Sequence, residues 1–377
     1  MQKRVRIAVN TRLLIKDQLE GIGWFMYQNL KRLVENNPEF EFYFLFDRPY
    51  DPNFIFGENV TPIVLNPPAR HPILWFLWFE IAIPRFIKKH QIDLFLSLDA
   101  YTSLSAQCNK ITAIHDIAFM HYENQVPKVV QWFMRHFTPK YYNSSDVIIT
   151  VSEASKQDLI STFGAHKKIE VLYNAASDIY KPIEEAEKTA HKIQFTEGCP
   201  YFLYVGSIHP RKNVLNLLKS FEAYKEKYQT NHYLVLVGRW AWQSKEAFDF
   251  LQNMQNKNFV KCVAHQTPET LRYWYGAAEA LVFISIYEGF GIPIVEAMAC
   301  EAPIIASRSS SLPEVGGEAA IYVEPESIEE IEEALHQIQN QEVRNKLIAN
   351  GKLQILKFDW NQSAKKLEAI VKQELKL

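Results

Sequence analysis

The sequence lacks an excess of either charge. Its 377 residues carry 41 Lys and Arg against 43 Asp and Glu, a formal net charge of −2. A general nucleic-acid binder needs a basic surplus to neutralise phosphates, so that class is excluded. The balance holds along the chain, with 19 basic and 17 acidic groups in residues 1–175 and 22 and 26 in the remainder. Cysteine is sparse. Cys108, Cys199, Cys262 and Cys300 lie far apart and form no C-x-x-C pair, which argues against a structural zinc, a thioredoxin-type site and a disulfide framework. No run of 18 apolar residues exists, and the richest, Ile73 to Ile87, is interrupted by Glu80 and Arg85. Nothing reads as a membrane-spanning helix. The opening residues, MQKRVRIAVN, enter a strand-like pattern without an apolar signal core. The expectation is a cytoplasmic protein, soluble or peripheral on the inner face of a membrane.

What is present is a rhythm. Short β-rich runs appear near Val5–Val9, Glu41–Phe46, Pro62–Leu65, Leu94–Ser97, Ile111–Ile114, Val147–Val151 and Ile169–Leu172. The rhythm returns at Tyr201–Val205, Tyr233–Val237, Phe259–Val263, Ala280–Ser285, Pro303–Ala306 and Ala320–Val323. Several runs are uniformly apolar, as strands buried on both faces of a parallel sheet should be. Helical patterns separate them, with Val214, Leu217, Leu218 and Phe221 on one face. This predicts an α/β protein of two Rossmann-like, doubly wound domains facing across a cleft. The expected domains are 1–176 and 177–358. The polar, acidic stretch Ser177–Cys199 reads as the connection, and residues 359–377 as an amphipathic helix with Ala364, Leu367, Ile370 and Val371 inward. Ligands of such sheets bind beyond the carboxyl ends of the strands.

The strongest local signal is YEGFGIPIVEAMAC, residues 287–300, after an apolar strand. Gly289 and Gly291 permit a tight turn. Pro293 suits a first helical turn, with Ile294, Ala297 and Met298 toward the core. A strand, a Gly loop and a helix N-terminus make an anion site suited to a diphosphate. Glu288 and Glu296 flank it. Carboxylates accept hydrogen bonds from hydroxyl groups, so the pattern points to a ligand both phosphorylated and sugar-like. The plainer alternative is a Gly turn with a capping Glu.

A second signal is VGSIHPRKNVLNLLKSF, residues 205–221. The strand ends in Gly206-Ser207, and Asn213 is placed to cap the next helix. Arg211 and Lys212 then stand before the positive end of that helix, where two cations need an anionic partner. A fork and a point charge suit two phosphates of one diphosphate. The alternative is a solvated basic pair.

Together these residues resemble the donor site of GT-B glycosyltransferases, specifically the large retaining group called family 4. The resemblance covers nearly the whole chain. VLYNAASDIYKP is similar to the family's interdomain segment, with Asn174 at its centre. The run from Phe259 to Gly291 keeps the family's order, and Phe358-Asp359-Trp360 opens a helix that in such enzymes crosses back onto the first domain. The resemblance implies a nucleotide diphosphate sugar, UDP- or GDP-linked, as donor. Arg211 and Lys212 would neutralise the leaving diphosphate. Glu296 would hold the ribose hydroxyls, and Glu288 would sit near the transferred sugar and its phosphate. Backbone N–H groups of Gly289, Phe290, Gly291 and Ile292 would complete the cradle, with Gly206 and Ser207 also at the donor. His115, in Ile-His-Asp after a first-domain strand, matches a histidine that contacts the donor sugar. Gly21-Ile22-Gly23 resembles the Gly loop beside the diphosphate or acceptor. Departures are Ile284 where relatives often have Pro, Ser309-Ser310-Ser311 where a Gly-rich loop is frequent, and Trp240 after Gly238-Arg239.

The resemblance further implies transfer with retention, helped by charge stabilisation on the leaving group. No D-x-D pair occurs in the chain, so no metal and no cofactor are expected. The acceptor is expected to be a glycan or a lipid-linked glycan. The aromatic stretch 71–90, with its basic end, is a candidate for peripheral membrane contact, the alternative being a buried helix. Rival readings are a nucleotide-sugar epimerase and an inactive sugar-nucleotide-binding or scaffold protein of the same fold. A dinucleotide oxidoreductase is disfavoured because Gly21/Gly23 and Gly289/Gly291 lack a third Gly.

Overall fold

Apolar runs too short for helices become strands buried on both faces. The computed structural model describes residues 4–123, 126–241 and 244–377. It divides into one unit of Met1–Asn174 with Asp359–Leu377 and a second of Ala175–Phe358. The first holds β1 (Arg6–Asn10), β2 (Glu41–Phe46), β3 (Val60–Val64), β4 (Leu94–Ser97), β5 (Asn109–Ala113), β6 (Val147–Thr150) and β7 (Lys168–Val171). They form an all-parallel sheet in the order β3-β2-β1-β4-β5-β6-β7. The second unit holds β8 (Tyr201–Val205), β9 (Tyr233–Val237), β10 (Val260–Val263), β11 (Ala280–Phe283), β12 (Ile304–Ser307) and β13 (Ala320–Val323). Their order is β10-β9-β8-β11-β12-β13, again all parallel.

In the first unit, helix Gly21–Asn36 buries Phe25, Met26, Leu30 and Leu33. Helix Trp360–Glu374 packs on it, with Ala364, Leu367, Ile370 and Val371 buried as their spacing requires. Ser363 Oγ donates to Asn29 Oδ1 at 3.1 Å, and Arg32 Nε to Asn361 Oδ1 at 2.8 Å. Gly21-Ile22-Gly23 is not a loop. The three residues form the first turn of helix Gly21–Asn36, where a side chain at Gly23 would press on Leu13 O at 3.2 Å.

In the second unit, Val214, Leu217, Leu218 and Phe221 of helix Val214–Tyr228 are all buried, as the periodicity predicts. Ser177–Cys199 is not a plain connection. It contains helix Glu185–Thr196, started by a reciprocal capping box between Glu184 and Glu187. Glu184 and Glu185 are exposed, while Glu187 is half-buried one turn before His191. One face of the helix is aromatic, with His191 and Phe195 ring centroids 4.4 and 4.7 Å from Trp274 of helix Pro268–Ala277. Ile183 sits against Gly276, where an added Cβ would come within 2.7 Å of it. The segment is part of the second unit's core.

Replacing the fully buried Leu367 with Ala should cost ~2–5 kcal/mol of unfolding free energy. The same change at Leu353, 69% exposed, should be near neutral. Denaturant unfolding of the two variants checks this.

Candidate functional site

Each sheet reverses direction beside its first strand, so consecutive loops part at the carboxyl end of that strand and leave a crevice. In the second unit the crevice lies between the loops after β8 and β11. The loop after β8 starts at Gly206, held with φ +145°, and is joined to the loop after β9. Gly206 N donates to Val237 O at 3.0 Å, Ile208 N to Arg239 O at 2.9 Å and Ala241 N to Ile208 O at 3.0 Å. A side chain at Gly238 would overlap Gly206 O, so the approach requires glycine. Ser207 O accepts the Tyr204 hydroxyl at 2.9 Å.

Next comes a short turn, Pro210–Lys212, which places both cations in the crevice. Lys212 Nζ lies 2.5 Å from Glu288 Oε1, and Arg211 Nη1 lies 3.3 Å from Glu288 Oε2. Arg211 Nη1 also donates to Tyr287 O at 2.5 Å, while Ile286 N donates to Arg211 O at 2.9 Å. The anionic partner that the sequence demands for this pair is therefore present within the chain. Asn213 does something other than cap. It has φ +61°, and its amide donates to Ile284 O at 3.2 Å and Pro325 O at 2.5 Å. It thereby ties the loop after β8 to the loops after β11 and β13, and makes no side-chain cap for helix Val214–Tyr228.

Glu288 is 7% exposed. Burial works to raise its carboxyl, but the Lys212 and Arg211 charges outweigh that and hold it below the ordinary glutamate range. Its backbone is fixed by the serines that depart from the family pattern. Glu288 N donates to Ser310 Oγ at 2.8 Å, and Ser311 Oγ donates to Glu288 O at 3.0 Å and Phe290 O at 2.9 Å. Phe290 is buried edge-on to Phe358 at 5.5 Å. Gly291, with φ +99°, precedes helix Ile292–Ala299, and Pro293 lies in its first turn.

Glu296, on that helix, is partly exposed. Its Oε2 accepts the Tyr275 hydroxyl at 2.7 Å, and the Tyr180 hydroxyl is near enough to act on the carboxyl. Burial pushes this carboxyl up to about 7, against the pull of both hydroxyls. Tyr275 and Tyr180 did not stand out in the sequence. Tyr275 lies inside an aromatic cluster, Tyr-Trp-Tyr, that also reads as core.

In the first unit, His115 follows β5. Its Nε2–H donates to Leu98 O at 2.9 Å, and the Phe25 ring meets it edge-on at 4.9 Å. Burial pushes the imidazole down, against the pull of the Leu98 carbonyl, so the ring is neutral near pH 7. Gly23 lies two residues from Phe25, in the same helix. The corresponding crevice of this unit holds a cluster that the sequence does not announce. Asn10 Nδ2 donates to Ser97 Oγ at 2.9 Å and to Asp99 Oδ1 at 2.7 Å, and Arg12 Nε pairs with Asp99 Oδ2. The Arg12 guanidinium lies 4.4 Å from the Tyr101 ring centroid. The available signal was a polar triplet, Asn10-Thr11-Arg12, closing an apolar strand. Among the described residues no cluster of three or more His, Cys, Asp or Glu has the arrangement of a metal site.

Two doubly wound parallel units with this crevice chemistry define a glycosyltransferase of the GT-B class. Over 98% of the chain the fold is similar to sucrose-phosphate synthase from Thermosynechococcus elongatus, with TM-score 0.79, 18% identity and 99% of that chain covered. WaaG, a glycosyltransferase involved in lipopolysaccharide biosynthesis, gives TM-score 0.76 at 12% identity over 97% of this chain and 99% of its own. Residues 185–354 match the family model for Glycosyl transferases group 1, and residues 19–177 that for Glycosyltransferase Family 4. The chain belongs to this glycosyltransferase family. It is 30% identical over 255 residues to O-antigen chain mannosyltransferase B of Escherichia coli, covering 66% of each chain. It is 26% identical over 284 residues to O-antigen chain mannosyltransferase RfbU of Salmonella typhimurium, covering 74% of this chain and 75% of that one. The aligned part is thus about two thirds and three quarters of those relatives' lengths.

Glu288→Gln should lower stability by roughly 1–3 kcal/mol near neutral pH, because two half-buried cations then face an amide. Since the folded carboxyl titrates below its unfolded value, this contribution is complete above the ordinary range, ~4.3, and fades as pH falls through the lower folded value. Urea unfolding between pH 7 and pH 3 should show a shallower acid loss in the variant than in the parent.

Proposed function

We propose that the protein transfers a mannosyl group from a nucleotide diphosphate mannose to a hydroxyl of a glycan or lipid-linked glycan, with retention of configuration. The observation that carries this reading is the cluster of Arg211, Lys212 and Glu288 at the crevice of the second sheet, beside the N-terminus of helix Ile292–Ala299. The relatives' names supply the sugar. The nucleotide is UDP or GDP, and structures similar in fold are described in complex with UDP and UDP-glucose.

In this reading the donor diphosphate takes the place of the Glu288 carboxylate as partner of Arg211 and Lys212. N–H groups of Gly289 to Ile292 complete the cradle, with the loop at Gly206 and Ser207 alongside. The released Glu288 accepts hydroxyls of the transferred sugar, and Glu296 those of the ribose. In the first unit, neutral His115 carries its proton on Nε2 and keeps Nδ1 as the acceptor that a sugar hydroxyl needs. As the anomeric C–O bond breaks, charge grows on the leaving phosphate oxygen, where the fixed cations stabilise it. The same oxygen takes the proton of the incoming acceptor hydroxyl on the same face, which yields retention. These groups act without a metal, and activity should persist in excess chelator.

A second element of the reading concerns the acceptor. Trp78, Phe79, Ile83, Phe86 and Ile87 of the stretch 71–90 are core. Ile73 and Phe76 remain 65% and 42% exposed, and Val129 and Trp132 of helix Lys128–Ser144 add 57% and 62%. Phe76 meets Phe137 of that helix at 6.0 Å, so the two helices lie side by side. Exposed Lys128 and Lys140 belong to the second helix, and exposed Arg70 directly precedes the stretch 71–90. No helix among the described residues is long and apolar enough to cross a membrane. An apolar face with basic neighbours suits the surface of an anionic bilayer carrying a lipid-linked acceptor.

Two experiments test these points. On a panel of GDP-, UDP- and ADP-sugars, one mannose donor should bind and turn over, and Arg211→Ala/Lys212→Ala should cut turnover by at least ~100-fold. Absence of binding by every donor would move the inactive binding-protein reading to the front. In flotation with anionic vesicles, Ile73→Glu/Trp132→Glu should stay in solution while the parent floats.

A further inference from the structure

The second unit sets two buried phenols beside Glu296. Tyr275 projects from helix Pro268–Ala277, which packs on helix Ile292–Ala299, and its hydroxyl meets Glu296 Oε2 at 2.7 Å. Tyr180 comes from the opening segment of the unit. Its ring is 8% exposed and stands edge-on to Tyr275, 5.9 Å between centroids. A buried phenol requires a hydrogen-bond partner, and Tyr275 takes this carboxyl although it belongs to a partly exposed residue, with the Tyr180 hydroxyl acting on the same group. A hydroxyl fixed on a carboxylate limits its rotation and stabilises its charged form.

We propose that Tyr275 and Tyr180 are positioning residues for Glu296, holding its carboxyl aimed to accept the ribose hydroxyls of the donor. The inference rests on the reading of Glu296 given above.

The surroundings leave this carboxyl to those two hydroxyls. Helix Pro268–Ala277 also carries Glu269 and Arg272, whose charges bear on Tyr180 and Cys300. Burial pushes the Cys300 thiol up to about 12, so it is neutral. Helices Leu312–Gly316 and Gln341–Gln354 pack on helix Ile292–Ala299 and bear Glu314, Glu342, Arg344, Lys346 and Lys352. The Glu296 carboxyl responds first to burial and then to the two hydroxyls. Both phenols are themselves held well above their usual range, first by burial, and remain donors at every working pH.

The test uses the full chain and its best nucleotide-mannose donor. Dissociation constants by calorimetry, with kcat and KM, are measured from pH 5.5 to 8.5 for the parent, Y275F, Y180F, the double variant and E296Q. Phenylalanine keeps the rings, and a melting temperature near the parent's confirms folding. Parent affinity should fall as pH drops through the Glu296 titration. In Y275F the midpoint should rise by roughly one pH unit, because the ionised carboxylate has lost a donor. KM should then rise about fivefold at pH 7 and much less at pH 8.5, with kcat little changed. E296Q should show weak binding without the pH step. Phenylalanine variants with the parent midpoint, or with an equal KM change at every pH, overturn the inference. If E296Q binds like the parent and keeps the step, the reading of Glu296 itself fails, a different outcome from silent tyrosines beside a sensitive Glu296.

Discussion

In each sheet the chain reverses its strand order around one strand, and at that point a cation from one loop meets a carboxylate from the other. Arg12, after β1, pairs with Asp99, after β4. Lys212 and Arg211, after β8, pair with Glu288, after β11. The positions are topologically equivalent, since β1 and β8 each separate the two directions of winding. Two loops that diverge from neighbouring strands have no backbone ladder to hold them. An ion pair at low exposure supplies a link whose strength grows as water is excluded. In the second unit the link acts together with the Ile286 N–Arg211 O bond and the Asn213 amide to position what those loops carry.

The two pairs differ in what surrounds them. Asp99 is 2% exposed and also receives Asn10 and the Tyr101 N–H, while Arg12 lies over an aromatic ring, so the cluster is internally complete. It acts as a fastener. The Glu288 cluster mixes one carboxylate with two cations and stands in front of a helix N-terminus whose own partial charge is positive. Its balance is positive. That asymmetry suits a site that must exchange an internal anion for a more highly charged external one with little rearrangement of dipoles.

The alternation of buried runs made the fold legible, because parallel strands covered on both faces are apolar throughout. Glu41–Phe46, Leu94–Ser97, Tyr201–Val205, Tyr233–Val237 and Ala320–Val323 coincide with the observed strands, and the others lie within one or two residues. The helix faces of Val214–Phe221 and Ala364–Val371 followed from spacing alone. Ser177–Cys199 was misread because acidic side chains dominate its composition while its packing rests on Ile183, His191 and Phe195. Gly21 and Gly23 looked like a turn, since glycine marks close approach in helices as well as in loops. Within the site, Arg211, Lys212, Glu288 and Glu296 stood out by charge beside a glycine turn. Arg12 with Asp99, 87 residues apart, and Tyr275 with Glu296, 21 apart, did not. Such pairings depend on which strand lies next to which, a property of the assembled sheet that no local window contains.

Helix Trp360–Glu374 completes the first unit although it follows the whole of the second in the chain. During synthesis the groove on helix Gly21–Asn36 that Leu367 and Val371 fill must therefore wait, bare, while an entire second core emerges from the ribosome. The amino-terminal unit matures last, and its exposed apolar stripe in the interval is a natural point for a chaperone to hold.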